Sequence, residues 1–190
     1  MKLFAIRSLL FCCLLLVFHP GLPMAAAEET PEVKNIIVTT SDTDLLLFAT
    51  VKNGFTQTML DEVHAGGTVV FTYHMELMKT DGKWFNTTLV ESAVTHTLAF
   101  DPASKTYRVV FSEQGDKAVT TTDLDHAKQL MAELNGVKII ALAQLVPDTP
   151  YAIRFKVTLK KGSLPLGMHR LVPFALWDFE TDWRTIEFRY

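Results

Sequence analysis

Three carboxylates alternate with aromatic residues near the C-terminal end of the chain. Asp178, Glu180 and Asp182 occupy every second position between Trp177 and Trp183. In an extended strand this period places the carboxylates on one face and the aromatic rings on the other. Carboxylates on one face suit a hard cation or a basic partner, and these three are our candidate binding residues. We favour a solvated face over an aromatic core, because a straight strand does not gather the about six to eight oxygens that calcium takes.

The same alternation predicts which side chains are buried. Trp177, Phe179 and Trp183 fall on one face of a continuous strand, and we expect that face to belong to the core. A bulge near Thr181 and Asp182 would add one residue and would turn Trp183 to the opposite face.

A second group of potential ligands shares another predicted strand. His74, Glu76 and Met78 lie two residues apart, and this face could hold copper or zinc. Ligands at this spacing are common by chance, the chain has no His-x-x-x-His sequence, and its two cysteines are Cys12 and Cys13. We therefore predict no metal site and no cofactor, and a domain that folds without metal.

Sequence signatures of catalysis are absent. The chain contains neither Gly-x-Ser-x-Gly nor Ser-x-x-Lys. His126 neighbours Asp123 and Asp125, but adjacent residues on a helix do not face each other, so a surface histidine is expected. Acid–base chemistry by Asp178 and Glu180 would need the two carboxyls to converge on a substrate with different pKa values. The sequence favours a non-catalytic role over an enzyme.

The N-terminal segment predicts export. Lys2 and Arg7 precede an apolar run of about ten residues, which ends in helix breakers and Ala25-Ala26-Ala27. This order is typical of a secretory signal peptide, here residues 1–27. The run is shorter than the roughly 20 residues of a membrane-spanning helix, so we expect cleavage before Glu28 rather than a retained anchor. The predicted location is the periplasm, with no stable membrane span after signal removal.

The rest of the chain, residues 28–190, is predicted to form one exported domain, long enough to bury a core. Loss of Lys2 and Arg7 takes the formal net charge from −3 to −5, which does not attract nucleic acid or anionic lipid. Both cysteines leave with the signal peptide, so a disulfide is not expected.

Hydrophobic periodicity predicts a mainly β fold. Two short helices are expected, one from Phe55 to Gly66 capped by Thr56, and one opened by Thr122 and ended by Asn135-Gly136. No strand–helix–strand rhythm is present, which favours an antiparallel β-sandwich with one or two short α-helices. The predicted strands are 34–40, 42–52, 69–79, 106–113, 117–121, 137–145, 151–159, 174–180 and 183–190, and residues 84–100 form either one long bent strand or two short ones.

Four features together resemble a known family. They are an exported chain of this size, the apolar helix face at 123–134, Tyr151-x-x-Arg154 in a strand, and Leu164-Pro165-Leu166 followed by the acidic-Trp ending. The chain resembles the bacterial family DUF4390, a domain of unknown function, from about residue 36 to its end. The resemblance implies a single exported bacterial domain, and it implies no activity, cofactor or catalytic residue.

The function expected from these observations is a non-catalytic binding or interaction module of the bacterial cell envelope, with a possible envelope protein as partner. One alternative is a carboxylate-dependent periplasmic hydrolase. The other is a small outer-membrane β-barrel, because the chain ends in the alternating aromatic pattern Ile186-x-Phe188-x-Tyr190. The sequence carries no signal for an oligomeric state.

Overall fold

A computed structural model describes residues 30–80, 86–161 and 179–190. The predicted signal peptide lies outside these ranges, as do Trp177, Asp178 and the Leu-Pro stretch. The elements are β1 (Glu32–Thr40), β2 (Asp44–Lys52), α1 (Gln57–His64), β3 (Thr68–Thr80), β4 (Asn86–Asp101), β5 (Thr106–Phe111), β6 (Lys117–Thr121), α2 (Leu124–Ala132), β7 (Glu133–Ala141), β8 (Pro150–Lys161), β9 (Phe179–Glu180) and β10 (Arg184–Arg189).

The described strands form two separate antiparallel sheets. The smaller sheet has the order β1-β2-β7, and the larger has the order β10-β8-β3-β4-β5-β6, with β9 also paired to β8. Two short α-helices accompany the sheets in the described part of the chain. The predicted fold class, mainly β and antiparallel with a sandwich-like arrangement, is confirmed.

Strand alternation places one face of each central strand in the core. One face of β2 is fully buried, whereas Leu46 and Phe48 on its other face are half-buried. Burial of each such side chain contributes roughly 1.5–3 kcal/mol, so these rows dominate the stability of the sandwich. The core rows of β2 and β3 are Leu45, Leu47, Ala49 and Val51, and Val69, Phe71, Tyr73, Met75 and Leu77.

The N-termini of the two helices are fixed by side-chain caps. Thr56 caps α1 as predicted, since its Oγ1 accepts a hydrogen bond from the Met59 backbone N–H at 3.3 Å. The predicted cap of α2 was one residue too early. Asp123, not Thr122, is the cap, and its Oδ1 accepts from the backbone N–H of Asp125 at 2.8 Å. A carboxylate is favoured there because it also faces the positive end of the helix dipole.

The predicted C-terminal end of α2 was wrong. The helix stops at Ala132, and Asn135-Gly136 belongs to β7. Between Leu134 and Val137 the strand holds one more residue than its partner β2, and Gly136 adopts φ +68°. This is a β-bulge in which glycine supplies the left-handed conformation. A Cβ on Gly136 would lie 3.1 Å from the Phe48 ring, so a side chain there would require the ring to shift.

A second bulge separates β9 from β10. Glu180 lies opposite Thr158 and Arg184 lies opposite Phe155, so three residues of the edge strand face two of β8. Thr181 anchors the bulge, because its N–H donates to the Val157 carbonyl at 2.9 Å and its Oγ1 accepts from the Val157 N–H at 3.0 Å. The edge strand therefore stays hydrogen-bonded to β8 across the bulge.

The bulge reverses the facing of the residues that follow it. Phe179 packs on the core residue Phe71, with ring centroids 5.9 Å apart. Trp183 instead lies over Arg154 and Lys156, on the outer face of the sheet. The prediction that Trp183 shares the core face of Phe179 was wrong, because one extra residue inverts the alternation of a strand.

Candidate functional site

The outer face of the larger sheet contains a groove of about 470 Å³. Strands β3, β4 and β8 form its floor, and Trp183, placed there by the bulge, lies along its side. The groove combines one large aromatic side chain with groups of both charges. Its lining residues are His74, Met75, Glu76, Glu91, Ser92, Ala93, Lys156 and Trp183.

Trp183 is held by two cations. The guanidinium carbon of Arg154 lies 4.5 Å from the centroid of the indole ring, and the Lys156 ammonium nitrogen lies 4.8 Å from it. Arg154 and Lys156 are two residues apart on β8, so strand alternation points both toward the indole. Cation–π contacts of this kind contribute about 0.5–1 kcal/mol each when exposed, and they restrict the position of the ring.

The same cations bind carboxylates. Arg154 Nη1 donates to Glu76 Oε2 at 3.2 Å, and Lys156 donates to Glu180 Oε1. Next to them, His74 Nε2 lies 3.0 Å from the Thr158 hydroxyl oxygen. The floor of the groove is therefore a network of side chains whose positions are set by one another.

Two carboxylates of the groove lie side by side. Glu76 on β3 and Glu91 on β4 are directly opposite in the antiparallel register. Like charges in this position destabilise a sheet. Arg154 offsets the charge of Glu76, whereas Glu91 is exposed and has no ionic partner among the described residues. The groove thus has an excess negative charge at its β4 side.

The structure separates the carboxylates predicted as binding residues. Glu180 lies on the outer face and pairs with Lys156. Asp182, in the bulge, lines a different cleft of about 190 Å³ beside Glu32 and Arg184. Asp178 lies outside the described residues. Glu180 and Asp182 therefore do not form one shared ligand set.

Sequence reasoning singled out part of the groove. It placed His74 and Glu76 on one strand face, and both line the groove. It missed Arg154, Lys156 and Glu91. The alternation of Arg154 and Lys156 in β8 could have predicted that both side chains lie on one face. Their contacts with Trp183 and Glu76 could not be predicted, because they depend on which strands are neighbours.

A second polar cluster is buried between α2 and the larger sheet. The Tyr73 hydroxyl donates to the Met131 carbonyl oxygen, which also lies 3.2 Å from His96 Nδ1. His96 Nε2 lies 3.0 Å from Glu113 Oε1. Burial, followed by the nearby carboxylates of Glu113 and Glu133, raises the pKa of Tyr73 well above its ordinary value. Because His96 is only 1% exposed, this cluster ties the helix to the sheet and is closed to a ligand.

Within the described part of the chain, no group of three or more His, Cys, Asp or Glu side chains is placed to hold a metal ion. His64 Nε2 instead lies 2.6 Å from the Tyr107 hydroxyl oxygen, and His126 is exposed on α2. The two described helices are also too short to cross a membrane.

The fold and the groove together define a small antiparallel β domain. The outer face of its larger sheet carries charged side chains, with one tryptophan beside them. The chain belongs to the DUF4390 family, a domain of unknown function, which matches residues 28–187. The resemblance seen in the sequence is thereby confirmed. No curated protein and no solved structure matches the chain.

Proposed function

We propose that this protein is a non-catalytic binding module of the bacterial cell envelope, and that the groove beside Trp183 holds its partner. The observation that carries the proposal is the position of Trp183 over Arg154 and Lys156, next to Glu91, which has no ionic partner among the described residues. An aromatic side chain held by cations gives contact area at low cost in conformational entropy, and aromatic and arginine residues are enriched where partners bind.

The charges of the groove support recognition. Glu76 and Glu180 already bond to Arg154 and Lys156, so these groups present a fixed charge pattern. Fixed and complementary charges select partners and set their orientation. Proton transfer would instead need two groups that converge on one substrate atom.

The envelope location rests on the N-terminal segment. A basic start, an apolar run and Ala25-Ala26-Ala27 support cleavage before Glu28. Mass spectrometry of the protein from a cell envelope fraction tests this point. We expect an N-terminus at Glu28, and an intact mass that includes Met1 would contradict it.

Site-specific photo-crosslinking in cells tests the groove. A photoreactive residue at Ala93, which lines the groove, is compared with one at Thr120, an exposed position on β6 of the same sheet. We expect a discrete adduct from position 93 alone, lost when Trp183→Ala is added. The same adducts from both positions, or none from either, would contradict the proposed binding surface.

A further inference from the structure

One half of β4 has an open edge among the described strands. β4 pairs with β3 from Asn86 to Ala99, but with β5 only from His96 to Asp101. The stretch from Thr87 to Thr95 therefore has a single described neighbour. Unpaired backbone groups along such an edge are a template for another strand.

The backbone groups on this edge can be assigned. The Thr95 N–H donates to the Ser112 side chain at 2.7 Å, on the side of β4 where β5 lies. Along a strand the backbone hydrogen bonds of alternate residues point to the same side, and the register is regular from Val90 to Ala99. The N–H and C=O groups of Glu91 and Ala93 therefore point to the open edge. Both residues also line the groove.

The charge at this edge is unbalanced. Glu91 faces Glu76 across the β3–β4 pair, and only Glu76 has a described cationic partner. A strand added to β4 would place a side chain about 4.5–5.5 Å from that of Glu91, which is within reach of a lysine or arginine head group. A basic side chain there would relieve the repulsion between the two glutamates.

We propose that the partner presents an extended peptide segment carrying a basic residue, which adds as a strand to the open edge of β4 with its cation against Glu91. Backbone hydrogen bonds to Glu91 and Ala93 align the peptide segment along β4. The negative charge of Glu91 selects a basic residue at the facing position of the peptide. This inference rests on the proposed function and names the class of partner for the same groove.

Synthetic peptides test the inference on the purified protein. The first is an eight-residue peptide of alternating threonine and valine with one central lysine. The second replaces that lysine with glutamate, and the third is N-methylated on the amides of the binding edge. We expect the lysine peptide to bind and to slow hydrogen exchange at the Glu91 and Ala93 amides. The glutamate peptide should bind at least about tenfold more weakly, and the methylated peptide should not bind.

Three variants locate the contact. Glu91→Gln should weaken binding of the lysine peptide about two- to fivefold, as for an exposed ion pair. Ala93→Pro should abolish it, and the fold should tolerate proline there because the lost N–H points outward. Asp42→Asn removes an exposed charge from the β1–β2 turn and should leave binding unchanged. If Ala93→Pro does not fold, as judged by circular dichroism, the methylated peptide provides the same test.

Equal binding of the lysine and glutamate peptides would overturn the inference. Slow exchange at Glu91 and Ala93 in the free protein would overturn it too, because the edge would then already be occupied. An adduct at position 93 in cells without peptide binding would refute strand addition and leave the proposed function standing. Absence of that adduct refutes the proposed function itself.

Discussion

Buried His96 pairs with half-buried Glu113, and His96 Nε2 lies 3.0 Å from Glu113 Oε1. The other ring nitrogen, Nδ1, lies 3.2 Å from the Met131 carbonyl oxygen. The two contacts of His96 connect β4 to the end of α2. Glu113 Oε2 is buried without a hydrogen-bond partner among the described residues. The carboxyl therefore depends on His96.

His96→Leu should lower the free energy of unfolding by about 3–5 kcal/mol, because it leaves the Glu113 carboxyl without its partner. The double variant His96→Leu/Glu113→Leu should cost less than the sum of the two single variants by about 1 kcal/mol or more. Urea unfolding of the three variants measures this coupling. Additive costs would show that the two side chains act independently.

Tyr73 makes stability sensitive to alkaline pH. Its pKa is raised above 10.0 in the folded protein, chiefly by burial. Below pH 10 the phenol is neutral in both the folded and unfolded states. Above it, the unfolded state releases the proton first, so stability falls as pH rises, by at most about 1.4 kcal/mol per pH unit from this group. Tyr73→Phe should remove this part of the slope in urea unfolding at pH 9 to 11. An unchanged slope would contradict the assignment.

Thr181 should be the most sensitive residue of the edge bulge. Thr181→Val keeps the shape but removes the acceptor of the Val157 N–H, a buried hydrogen bond of 3.0 Å. An unsatisfied buried N–H costs about 1–3 kcal/mol. Thr185→Val, at an exposed position of β10, is the control and should change stability by less than about 0.5 kcal/mol. Thermal unfolding compares the two variants. Equal melting temperatures would contradict the role of Thr181 in holding the bulge to β8.

Substitutions at two glycines distinguish the cost of backbone strain from the cost of a steric clash. Gly136 has φ +68° and Gly115 has φ +66°, but only Gly136 faces a side chain, that of Phe48. Gly115→Ala should cost about 1 kcal/mol from the left-handed backbone alone. Gly136→Ala should cost about 1–3 kcal/mol more, since the Phe48 ring must move. Chemical denaturation of both variants gives the difference between their losses in unfolding free energy. Equal losses would show that the Phe48 ring moves aside without cost.

The sequence was sufficient where structure depends on near neighbours along the chain. The two-residue period of residues 42–52 and 69–79 predicted strands β2 and β3, because alternation follows from strand geometry alone. The Thr56 cap of α1 was likewise predicted, since it is a contact between residues three apart. Family membership was also visible in the sequence, because it depends on motifs and their order.

Tertiary structure decided what depends on strand pairing. The register with β8 creates the bulge at Thr181 and turns Trp183 to the outer face. Pairing with β2 ends α2 early and draws Gly136 into a strand. The groove forms because these strands are neighbours: pairing of β3 with β4 brings Glu76 to Glu91, and pairing of β9 and β10 with β8 brings Trp183 to Arg154. Alternation gives the face of each side chain but not the strand beside it, and one added residue reverses that face.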